Sequence, residues 1–153
     1  MKVVSINMIL GLGLLMSIMT SCESDTSLDE SINVTEIQNL VSTSNWVITY
    51  FNDSGKDETY HFNGYEFSFL DNGILEATNG SVVKSGTWSI SQDSSDDSNS
   101  SGVEFNIHFS NDSGEFEELT DDWEITSRST SKIELIDVSG GNGGTDYLTF
   151  VKM

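Results

Sequence analysis

Apolar side chains recur along this chain in three successive patterns: a near-continuous run, a short helical spacing, and then alternation almost to the end. The run extends from Ile6 to Met19 around Leu10, Leu12, Leu14, Leu15 and Met16, behind Lys2 and ahead of the small polar pair Thr20 and Ser21. A charged start, an apolar centre and a small-residue exit are the order of a secretory signal peptide. The run falls short of the ~20 apolar residues that a membrane-spanning helix needs. Residues 1–21 are therefore expected to be a targeting segment outside the fold.

The helical spacing is brief. In "INVTEIQNLV", Val34, Ile37, Leu40 and Val41 fall on one face, Asn33 is placed to cap the helix with Glu36 reaching back, and Ile32 faces Ile37 as a staple. A helix of this length is unstable alone in water. It is expected to lie against whatever follows.

From Trp46 the period becomes two. "NWVITYF" reads as a strand closed by "NDSGK"; "ETYHF" reads as the next, and "NG" at Asn63 and Gly64 turns the chain again. "YEFSFL" puts Tyr65, Phe67 and Phe69 on one face, and "DNG" at 71–73 leads into "ILEAT". After a second "NG" at Asn79 and Gly80 comes "VVKSGTWSI", and after a polar loop "VEFNIHF", with Val103, Phe105, Ile107 and Phe109 on one side. "DWEIT", "KIELIDV" and "DYLTFV" complete the series. Strands with such short connections pair with their sequence neighbours, and closing the sheet removes its exposed edges. The expected fold is all-β: an antiparallel up-and-down β-barrel of about eight strands over residues 33–153, with a short N-terminal helix capping one end.

Charge and the one cysteine say where such a barrel works. The chain of 153 residues carries 25 acidic and 6 basic side chains, a net charge of −19, and Lys2 is the one charged residue among 1–21. A surface this acidic repels nucleic acid and anionic lipid headgroups, so no nucleic-acid partner is expected. Cys22 has no second thiol with which to form an internal disulfide or a cysteine-rich zinc site. The sequence Met19, Thr20, Ser21, Cys22, with its apolar segment upstream, resembles the lipobox of bacterial lipoproteins. That resemblance implies cleavage before Cys22, lipidation of Cys22 with palmitate-type chains, and anchorage in the outer membrane; the protein is expected to be a monomer. Residues 22–32, polar and acidic, would form a flexible tether holding the charged body off the lipid. Glu23 and Asp25 also resemble the acidic signals that send some lipoproteins to the outer face of the envelope.

The later motifs carry a second resemblance. A short helix before a tryptophan strand, Phe67, Phe69 and Gly73 spaced as F-x-F-x-x-x-G, the triplet Gly86, Thr87, Trp88, then Trp123 with Ile125, and a closing Leu148, Phe150, Lys152 are similar to the lipocalin-like lipoproteins of Gram-negative bacteria. The family implies a small antiparallel barrel with a small apolar ligand in its mouth. Ser44, Asn45 and Trp46 stand where lipocalins proper have Gly-x-Trp.

Few residues point to catalysis. His61 and His108 both fall in strand readings outside any spaced motif, and no G-x-S-x-G elbow occurs, so no enzyme activity, catalytic residue or cofactor is expected. Asp93, Ser95, Asp97, Asn99, Ser101 and Glu104 match the oxygen spacing of a calcium loop. Ser98 occupies the position that wants glycine, and strands flank the segment, so a solvated hairpin loop without metal is the favoured reading. Trp46, Tyr50, Phe67, Phe69, Trp88, Phe105 and Phe109, joined by Trp123 and Phe150, either line a ligand cavity or fill a narrow barrel. Two functions follow: a non-catalytic binding module for a small apolar ligand, or an interaction lipoprotein serving an envelope protein partner through its acidic surface or loops.

Overall fold

The computed structural model describes residues 34–92, 102–110, 114–139 and 143–153. Cys22, the tether, Ile32, Asn33 and most of the 93–104 loop lie outside the described residues.

Alternation builds the sheet. After helix α1 (Val34–Ser42) come β1 (Asn45–Asp53), β2 (Lys56–Asp57), a single 3-10 turn (Thr59–Phe62), β3 (Glu66–Phe69), β4 (Ile74–Thr78), β5 (Val83–Gln92), β6 (Val103–His108), β7 (Asp121–Arg128), β8 (Lys132–Val138) and β9 (Thr145–Lys152). From β3 to β9 each strand pairs antiparallel with the next, and β1 joins β3 on one side and β9 on the other, closing an eight-stranded barrel. The two-residue β2 is an extra flap folded back on the end of β1. Gly73, at φ 79°, makes the tight turn that returns β3 into β4, and its carbonyl accepts the Trp88 amide at 2.9 Å.

Helix α1 closes the end of the barrel where β1 begins. Ile37 and Val41 are buried in the common core, with Val34 and Leu40 packed beside them. The Trp46 indole N–H donates to the Val41 carbonyl at 2.9 Å and so pins the helix to the first strand. Glu36 places Oε1 3.2 Å from Arg128 Nη1, which ties the helix to the end of β7. The opposite end is stopped by the 3-10 turn and by the segment 114–120 between β6 and β7, which contribute buried Phe62, Phe116 and Leu119. There the Trp123 indole donates to the Leu119 carbonyl at 3.1 Å. Both mouths are thus plugged, each with a tryptophan holding its plug.

Two local expectations need correction. "ETYHF" is not a strand: Thr59–Phe62 form the 3-10 turn, with Glu58 just before it. This turn serves the free edge of β1, where the Thr59 hydroxyl accepts the Phe51 amide at 2.8 Å and the Glu58 amide donates to the Phe51 carbonyl at 3.0 Å. Tyr50 does not join the inward aromatics. A register shift between Ile48 and Tyr50 inserts one extra residue against β9, so Trp46 and Ile48 point inward, then Phe51, while Tyr50 is 41 % exposed on the outside.

Gly86 faces the interior of β5 opposite the end of β6. A Cβ there would lie 2.9 Å from Phe109 Cδ1 and would run into the His108 carbonyl. Gly86→Ala is therefore expected to lower stability by about 1–3 kcal/mol through overpacking, outweighing the ~0.4–1 kcal/mol that a lost glycine normally returns. Urea unfolding reads this as a lower midpoint at unchanged slope. A variant as stable as the parent would refute the close approach.

Candidate functional site

Six of the seven aromatic residues singled out in the sequence meet inside the barrel. Trp46, Phe67, Phe69, Trp88, Phe105 and Phe109 are all buried, as are Trp123 and Phe150. Phe69 on β3 lies 5.1 Å from Phe105 on β6 and 5.4 Å from Phe150 on β9, centroid to centroid. In barrel order β3 and β6 are three places apart. Rings from opposite walls therefore touch across the lumen. Trp88 extends the cluster at 5.9 Å from Phe105, and its indole donates to the Leu70 carbonyl at 2.9 Å. Phe116 stacks edge-on against Phe62 at 5.5 Å and Phe109 at 5.1 Å in the far mouth. Interior width, set by eight strands, matches side-chain filling.

The clefts lie outside. One, of about 620 Å³, crosses β5, β6 and the start of β7 and is lined by Ser89, Asn106, His108, Thr120, Asp121 and Asp122 among others. Its floor is ordered by Asn106, whose Nδ2 donates to Ser91 Oγ at 2.9 Å and to Ser89 Oγ at 3.2 Å. Partial burial pushes the Asp121 carboxyl above its ordinary range, reinforced by repulsion from Asp137, Asp122 and Asp146, against the Asp122 amide that donates to it at 2.8 Å. A second cleft of about 390 Å³ runs between α1 and the barrel, lined by Gln38, Asn39, Ser42, Asp71 and Ser89. His108 is an exposed wall of the first cleft, in keeping with its place on the polar face of β6.

A third feature was hidden in the sequence. At the plugged far mouth Glu58, His61 and Glu118 bring potential ligand atoms to within 4.8 Å of one another. Glu58 is only 3 % exposed and forms an ion pair with Lys56. That hydrogen bond holds the Glu58 carboxyl below its ordinary range, with help from Glu118. Glu118 is raised instead, by desolvation first and then by its hydrogen bond to, and the charge of, Glu58. Nδ1 of His61 is shut off from solvent and has no hydrogen-bond partner. His61 looked like an isolated strand residue, and Glu118 was one acid among 25. Only the 3-10 turn and the 114–120 segment bring them together.

Of the six calcium-loop candidates only Glu104 is among the described residues. It sits on β6 and accepts a hydrogen bond from Ser91 Oγ at 3.2 Å. No protein-family model matches the chain, and no curated protein matches it closely enough to count as a relative. The fold itself defines the class: among the described residues, a closed antiparallel β-barrel with one extra strand and one short helix.

Proposed function

We propose that this chain is a lipid-anchored lipoprotein of the outer membrane, of the lipocalin-like kind, that works as a non-catalytic interaction module through the outside of its barrel. The observation that favours the outside of the barrel over its lumen is the contact of Phe69 with Phe105 at 5.1 Å across the interior. The space in which a barrel of this kind would hold a small apolar ligand is taken by its own rings, so the second of the two sequence readings is preferred. Outside, the 620 Å³ cleft offers Asn106, His108, Asp121 and Asp122 to a partner. Asp121 already suffers repulsion from Asp122, Asp137 and Asp146, which a cationic surface would relieve. The anchor rests on the sequence around Cys22, and the acidic partner surface on a net charge of −19.

Crosslinking in intact envelopes tests the reading. A specific crosslinked protein partner is expected, and Asp121→Lys with Asp122→Lys should remove at least about nine-tenths of it, since like-charge contacts across an interface cost several kcal/mol. Capture undiminished by this reversal would go against the cleft. A lipophilic molecule that co-purifies from the native host and is visible by native mass spectrometry would restore the lumen as the binding site.

A further inference from the structure

We propose that Glu58, His61 and Glu118 form a binding site for a divalent transition-metal ion at the plugged mouth of the barrel. Their ligand atoms already lie within 4.8 Å of one another. Metal–ligand bonds of ~2.0–2.2 Å in tetrahedral geometry require these atoms about 3.3 Å apart, a contraction of roughly an ångström or a little more. The local structure permits it. Glu58 and His61 stand three residues apart at the start and within the 3-10 turn, a spacing that eclipses side chains on one face. Glu118, on the facing 114–120 segment, is exposed and already hydrogen-bonded to Glu58.

The independent sign of a ligand is His61. Its Nδ1 is buried without a donor or acceptor to meet, although two carboxylates stand beside the ring. An imidazole offers a metal ion the lone pair of a ring nitrogen. A metal ion uses that lone pair and both carboxylates together. One imidazole with two carboxylates favours zinc and its neighbours over calcium or magnesium, which take oxygen ligands throughout. Three protein ligands leave a fourth position for water or for a donor from a partner molecule.

Lys56 is the competitor. Its ammonium occupies Glu58, but 71 % of its side chain is exposed, so it is displaced into water without unpacking anything. Asp53 and Glu118 add negative potential at the same place, which favours the exchange of one charge for two.

The test is calorimetric titration of zinc into the full chain, purified in detergent and stripped with chelator. A saturable one-to-one heat tighter than about 100 µM is expected. His61→Ala and Glu118→Gln should each weaken it by at least about tenfold, whereas Lys56→Ala should tighten it. Glu118 is exposed, so its variant keeps the fold and separates ligand loss from unfolding. Absence of saturable heat overturns the proposal. So does zinc binding that His61→Ala and Glu118→Gln leave unchanged, because the ion would then sit elsewhere on the acidic surface.

Discussion

Replacing Cys22 by alanine is expected to move the protein from the membrane fraction to the soluble fraction and to abolish its labelling with palmitate. Each buried methylene contributes about 0.8 kcal/mol to membrane affinity, so more than one long chain makes a stable anchor, whereas a single chain holds only marginally. The described body of the protein would not replace those acyl chains. With 25 acidic side chains against 6 basic ones, the body is repelled by anionic headgroups, and no helix among the described residues is long and apolar enough to cross a membrane. Release should therefore be nearly complete. Fractionation of cells carrying Cys22→Ala decides the matter: a variant that remains membrane-bound and labelled ends the lipoprotein reading.

The second large effect concerns the filled lumen. Phe150 on β9 is fully buried and touches Phe67 at 5.4 Å, Phe69 at 5.4 Å and Phe105 at 6.3 Å. Phe150→Ala removes the ring on which rings from β3 and β6 converge, and walls built of hydrogen-bonded strands collapse little into the gap. The expected loss is ~3–5 kcal/mol, a large share of the ~5–15 kcal/mol by which domains of this size are stable. Urea unfolding followed by the fluorescence of Trp46, Trp88 and Trp123 measures it, all three indoles being buried in the folded protein. A loss below about 1 kcal/mol would mean that the ring faces empty space, and the case for an external binding surface would lose its foundation.

The barrel was legible in the sequence wherever alternation was unbroken. Val103, Phe105 and Ile107 on β6 with Phe109 just after it, and Tyr65, Phe67 and Phe69 around β3, face as their spacing requires, and Val34, Ile37, Leu40 and Val41 meet the core as one helix face. At Tyr50 the one-residue bulge reverses the parity of everything after it, and the alternation of apolar and polar positions cannot reveal an insertion that only the partner strand defines. In "ETYHF" a single 3-10 turn is too short to show a helical period, and its aromatic residues imitate a strand. The plug made by Phe116 and Leu119 was unread because an acidic stretch surrounds it. The Glu58, His61, Glu118 cluster was invisible for a different reason. Its members come from two loops that become neighbours only after closure, and carboxylates are so common here that no pair of them stood out. The signal that was available was the apolar Phe62 beside His61, a loop residue too apolar to be solvated.

Closure of the barrel is uneven. β1 makes six register pairs with β9, from Trp46 with Lys152 to Asn52 with Tyr147, but only two with β3, at Asn45 and Trp46. Beyond Trp46, the β3-facing edge of β1 is completed by a threonine hydroxyl, the Glu58 amide and the small flap β2. This line is where thermal fraying would open the wall, and a loosened 3-10 turn would bare strand-edge donors and acceptors to a neighbouring molecule. Acidic side chains at Asp53 and Asp57 stand in that same stretch. Two copies approaching edge to edge would bring like charges together, so the acidity of the chain also works as a guard against polymerisation through its weakest join.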